Sequence, residues 1–137
     1  LSNDKILKLF HFGRFDIAIL FSTFGVITSP VYCTKIASKI ARTYTDRHGL
    51  KNLLSEILDV DISKQQQSSD WGAKHLSKAQ IEYAATDVLY LHALREKLNE
   101  MLTRENRSEL ANECFKFLPS RAVLDIKGWN DIDIFEH

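Results

Sequence analysis

Apolar positions recur with a helical period over the longest unbroken stretch of the chain, Leu76 to Met101. Ala, Leu, Glu and Lys dominate it and neither Gly nor Pro interrupts it, so the pattern predicts one long helix. Ser77 followed by Gln80 forms an S-x-x-Q capping box at its start. Upstream, ILKLFHF (Ile6 to Phe12) is short, apolar and aromatic-rich and predicts a buried strand. Gly13 permits a turn into a very apolar helix from Arg14 to Phe24, with Gly25 as its stop. Val26 to Cys33 predicts a second short strand punctuated by Pro30. Thr34 is then expected to cap a helix KIASKIARTY, and Leu50, Leu53, Leu54, Ile57 and Leu58 mark another amphipathic helix after the turn TDRHG. The polar run from Asp59 to Asp70 reads as an exposed connection, closed by Trp71 and Gly72. Past Asn106 a helix from Ser108 to Phe117 is expected, stopped by Pro119, and then a packed, irregular tail containing Trp129.

Strand, helix, strand and then helices point to an α/β fold, mostly helical with a partial sheet. Two strands seldom make a self-sufficient sheet. The expectation is a small sheet, or one whose other strands lie upstream of Leu1.

Two positions break the polar–apolar pattern in the same way. On a wheel of about 100° per residue, Ala84, Leu91, Leu94, Leu98, Met101 and Leu102 share one stripe. Asp87 falls inside that stripe, with Tyr83 one turn before it and Tyr90 beside it. On the earlier helix Asp16 shares a face with Phe12, Ile19, Leu20 and Thr23. An ionised carboxylate moved out of water needs a partner or shifts its pKa. An arginine could serve each acid: Arg42 or Arg95 for Asp87, Arg14 for Asp16. A divalent cation could serve both, because carboxylate oxygens are preferred ligands of hard ions such as Mg²⁺.

Composition narrows the classes. The 137 residues fit one domain or a large part of one, and 45% hydrophobic content allows a packed core. Lys and Arg balance Asp and Glu at 18 each, which argues against a protein that coats long nucleic acid but permits a site gripping a few phosphates. Cys33 and Cys114 are far apart, in no zinc-like cluster, and read as free buried thiols in a reducing compartment. No run approaches a membrane span of about 18 residues and no signal peptide is visible, so a cytoplasmic location is expected.

HFGRFDIAIL resembles the second motif of the ribonuclease D-like 3′–5′ exonucleases, the tyrosine-containing branch of the DEDD superfamily. YAATDVLYL resembles that branch's third motif, Y-x-x-x-D. Between them GLKNLLSEILDVDISKQQQSSDW resembles the family's linker, including Lys64 and the Ser-Asp-Trp before the capped helix. The likeness runs from Ile6 to about Leu102. It implies a ribonuclease H-like 3′–5′ exonuclease fold. It also implies hydrolysis of nucleotides from the 3′ end of RNA or single-stranded nucleic acid, with two Mg²⁺ or Mn²⁺ ions.

Carried over residue by residue, Asp16 matches the second-motif acid and Asp87 the third-motif acid, both metal ligands. Tyr83 matches the tyrosine that orients the attacking water. His11, Phe12 and Lys64 are candidates for contact with nucleic acid. The family's first motif, D-x-E, does not occur before Asp16. The chain is therefore expected to be the C-terminal part of a single exonuclease domain, impaired by itself. A non-catalytic nucleic-acid- or protein-binding module that keeps the fold is the alternative. RNA and DNA are not distinguished, since no base-reading module is present. Oligomeric state is open, with apolar surface left by missing strands favouring self-association.

Overall fold

The computed structural model describes residues 1–61 and 78–136, and of residues 78–88 the backbone. The chain begins with strand β1 (Lys8–Phe10), helix α1 (Gly13–Phe24) and strand β2 (Val31–Cys33). Helices α2 (Thr34–Ala41), α3 (Leu50–Leu58), α4 (Lys78–Arg104) and α5 (Ser108–Leu124) follow, and α5 continues into a π-helical turn, Asp125–Trp129. The two strands pair in parallel, with Lys8 opposite Val31, Leu9 opposite Tyr32 and Phe10 opposite Cys33. α1 is the crossover that a parallel pair requires. β2 is buried at every position, as expected of a strand covered on both faces.

Several elements follow directly from local chemistry. Gly25 takes a left-handed conformation (φ 66°) and donates its N–H to the Phe21 carbonyl, ending α1 where a Cβ would be strained. Asn106 plays a similar part between α4 and α5 (φ 58°), and Arg107 N–H returns to the Leu102 carbonyl at 2.8 Å. The regular stripe in α3 is real, since Leu53 and Leu54 are fully buried.

The core joins Ile17 of α1, Val31 of β2, Ala37 and Ala41 of α2, the two α3 leucines, Leu94, Leu98 and Leu102 of α4, and Phe115 and Leu118 of α5. α1 packs on α5, while α2 and α3 pack on α4. Small buried residues, Ala37, Ser38 and Ala41, let α2 lie close to α4.

Five expectations change. Both strands are shorter than their apolar runs, three residues each, because backbone pairing and not hydrophobicity sets their length. Thr34 opens α2 without capping it, because its hydroxyl donates to the Phe10 carbonyl of β1 at 3.2 Å. That helix ends at Ala41, and Tyr44 is 75% exposed. Pro119 does not stop α5. The ring lacks the N–H that would bond the Phe115 carbonyl, yet Phe115, Leu118, Pro119 and Ala122 are all buried, and packing carries the helix through. Beyond Asp125 the tail has a helical turn, broken at Gly128 (φ 111°), and Trp129 is half-exposed instead of packed.

The cysteines are free, Cys33 buried and Cys114 only partly so. Among the described residues, no helix is long and apolar enough to cross a membrane. The expected cap Ser77, the polar connection beyond Asp61 and Trp71 lie outside the described residues.

Candidate active site

The end of β1 and the start of α1 build the first wall of the site. After Phe10 the chain reverses at Phe12, whose backbone sits in the left-handed region (φ 57°). A bulky residue rarely takes this conformation unless its surroundings demand it. The demand comes from Gly13. A Cβ there would stand 3.0 Å from the Phe10 Cβ, so α1 starts hard against the strand. Its N–H approaches Cys33 Sγ at 3.4 Å, tying the same point to β2. Asp16 follows within the first turn of α1.

The Asp16 carboxylate is half-buried, and burial raises its pKa above the ordinary value. Among the described residues it has no hydrogen-bond or ion-pair partner. The arginine partner considered for it does not form. Arg14 turns away to Asp125, with Nε donating to Oδ2 at 2.6 Å and Nη2 to Oδ1 at 2.7 Å. These bonds hold the Asp125 carboxyl below its ordinary range.

His11 is fixed from behind. Its Nδ1 lies 2.9 Å from Thr34 Oγ1, and that hydroxyl's single hydrogen is committed to the Phe10 carbonyl. The Thr34 hydroxyl thus ties the His11 ring to the end of β1. Burial, assisted by the Lys35 ammonium, lowers its pKa to about 4, so the ring is neutral near pH 7. Phe12 is 48% exposed. Its ring lies nearly parallel to Phe15 (8°, centroids 6.0 Å apart), and Lys35 Nζ sits 4.4 Å from its centroid.

Tyr83 and Asp87 both lie on α4, one helical turn apart, as the sequence predicts. Their side chains and Lys64 lie outside the described residues. Of the two arginines considered as partners for Asp87, Arg42 is held by other groups. Arg42 reaches Glu56 at 2.9 Å, Ser38 Oγ at 3.3 Å and the Arg47 carbonyl at 3.1 Å. The Arg95 guanidinium lies 5.4 Å from the Tyr32 ring centroid. Among the described residues no group of three His, Cys, Asp or Glu could hold a metal. The fit to a divalent ion therefore rests on Asp16, a hard oxygen donor, partly desolvated and without a cation of its own. It fits.

Residues 1–103 match the family whose model is described as 3′-5′ exonuclease. The chain belongs to this 3′-5′ exonuclease family. The chain is 65% identical to a protein solved as the apo form of a nuclease, with a TM-score of 0.93 over 100% of its own length and 66% of that chain. It is 58% identical to Brucella melitensis NrnC solved with bound Mg²⁺ (TM-score 0.91, 100% and 66% of the two chains). The same NrnC solved bound to pGG aligns at 60% identity and TM-score 0.89, over 98% and 65% of the two chains. Ribonuclease D of Acidiphilium cryptum is 38% identical over 112 residues, 82% of this chain. The chain spans 28% of the length of that ribonuclease D and 66% of the solved nucleases. These likenesses bear out the ribonuclease D-like resemblance and the exonuclease fold read from the motifs.

Nothing along the chain signals the Arg14–Asp125 pair. Its members stand 111 positions apart, and Asp125 lies in no motif.

Proposed function

We propose that this protein is a metal-dependent 3′–5′ exonuclease that removes nucleotides from the 3′ end of RNA or single-stranded nucleic acid in the cytoplasm. The observation that carries the reading is Asp16, a half-buried carboxylate without a cation among the described residues, at the second-motif position of an exonuclease fold. A Mg²⁺-bound neighbour at 58% identity supports the choice of ion.

In this reading Asp16 and Asp87 each present carboxylate oxygens to Mg²⁺ or Mn²⁺. Two such ions, when bound, supply a water of lowered pKa and stabilise the charge on the leaving oxygen. Tyr83 orients that water through its hydroxyl, because a phenol with pKa near 10 is a poor base at neutral pH. Phe12 offers an exposed ring on which a base can stack, a contact worth roughly 1–3 kcal/mol in single-strand binders. His11 offers a ring nitrogen for a hydrogen bond, and Lys64 a cation for phosphate. An α1 anchored to both strands holds Asp16 without the slack of a loop.

The D-x-E pair is not in the 137 residues. The reading therefore expects little turnover from this stretch alone, and the test uses the full-length protein. Mn²⁺-dependent release of nucleotides from a 3′-labelled RNA, or cleavage of pGG, is expected. Asp87→Asn should slow it by on the order of 100-fold, since even outer-shell partners of a metal contribute about 10–100-fold. A near wild-type rate in that variant overturns the site. Cleavage that ignores chelator overturns the metal mechanism.

A further inference from the structure

The first turn of α1 is weakly held by its own bonds. Phe12 at the N-cap makes no side-chain cap, the Phe15 N–H reaches the Phe12 carbonyl at a long 3.3 Å, and the Gly13 N–H has only a sulfur acceptor at 3.4 Å. Uncapped first turns are the part of a helix that frays. Yet this turn carries Asp16.

What holds it comes from the far end of the chain. Arg14 grips Asp125 with a two-bond fork at 2.6 and 2.7 Å and reaches on to the Asn130 carbonyl at 3.1 Å. Asp125 is 15% exposed and Arg14 41%, so the carboxylate is the shielded end of the fork. On its other side Arg121, 13% exposed, donates to Asp125 Oδ1 at 3.2 Å, to the Ile132 carbonyl at 2.8 Å and to the Trp129 carbonyl. One carboxylate thus fastens α1, α5 and the segment 129–132. Planar guanidinium–carboxylate forks fix orientation as well as distance.

We propose that Asp125 is a positioning residue for Asp16, holding the first turn of α1 through Arg14 in the orientation that metal binding requires. The inference rests on the reading of Asp16 as a metal ligand. It gives the C-terminal segment, 21 residues beyond the 1–103 family match at Leu124, a part in the chemistry of the site. The fork also occupies Arg14, so the guanidinium two positions from Asp16 does not stand as an uncompensated cation beside the incoming metal.

The test is Mn²⁺ binding to the full-length protein, followed by the paramagnetic signal of the free ion and in parallel by the melting temperature. Asp125→Asn and Arg14→Lys each lose the fork, the second while keeping the charge. Both are expected to raise the half-saturating Mn²⁺ concentration about tenfold, the lower end of what outer-shell partners contribute. Asp125→Glu, which keeps a carboxylate, should recover most of the affinity. Glu56→Gln, which breaks the remote Arg42–Glu56 pair, is the control: it should lower melting temperature but leave the Mn²⁺ midpoint in place. Midpoints within twofold of wild type in both fork variants, with melting temperatures lowered as in the control, make the clasp merely structural and overturn the proposal. A wild-type protein that binds no Mn²⁺ overturns the exonuclease reading itself, and this inference with it.

Discussion

At the scale of single residues, the chemistry is set by which polar groups find partners. His11 shows the satisfied case. Its ring is pinned by Thr34 and held neutral by burial, with a folded pKa of about 4 against an ordinary 6.5. The sign follows from which state binds the proton first. As pH falls below 6.5 the unfolded chain protonates His11 while the folded chain resists until about 4, so stability is lost across that window. The full loss is about 3 kcal/mol at 1.36 kcal/mol per pKa unit. Melting temperature followed from pH 7 to 4 should fall, and His11→Gln should flatten the curve. An unchanged slope in that variant places the acid sensitivity elsewhere. Asp16 shows the unsatisfied case. The two acids in apolar stripes were visible as letters, but only coordinates reveal that Arg14 is taken by Asp125 and that Asp16 has no partner among the described residues.

At the scale of elements, the junction of β1 with α1 decides where Asp16 stands. Gly13 is needed there for space, since its φ is helical and the limit is the 3.0 Å approach to Phe10 Cβ, with Leu118 Cδ2 at 3.4 Å behind it. Gly13→Ala must push α1 off the strand, and overpacking of this kind costs typically 1–3 kcal/mol. Urea denaturation should show a loss of that size, together with weaker Mn²⁺ binding. A variant as stable as wild type would mean that the junction yields freely. Helix α5 teaches the reverse lesson about local rules. Pro119 reads as a stop, but the Tyr32–Phe115 ring contact at 4.5 Å and the burial of Leu118 and Ala122 hold the helix together past it. Propensity is a weak prior where packing opposes it.

At the scale of the whole molecule, the proposed function requires α1 and α4 to present acids to one place, while α1 itself is packed on α5 and tied to the segment 129–132. Metal that binds only the folded state stabilises it by RT ln(1 + [L]/Kd), about 2.7 kcal/mol at a hundredfold excess over Kd. Melting temperature of the full-length protein should therefore climb with Mn²⁺, and Asp16→Asn should abolish the climb while leaving the metal-free value unchanged or higher, because it removes a desolvated charge. A climb that survives this substitution means that the ion binds elsewhere.

The sequence by itself determined the order of strands and helices, the glycine and asparagine stops, the α/β class and the motifs that mark Asp16, Tyr83 and Asp87. These are readable because helical period, capping chemistry and short-range spacing are local properties. The tertiary structure alone decided the three-residue length of the strands, the passage of α5 through Pro119, the neutral state of His11 and the choice of Asp125 over Asp16 as the partner of Arg14. Each of those depends on groups distant along the chain meeting in space, where burial and geometry, not neighbouring residues, settle which bond forms.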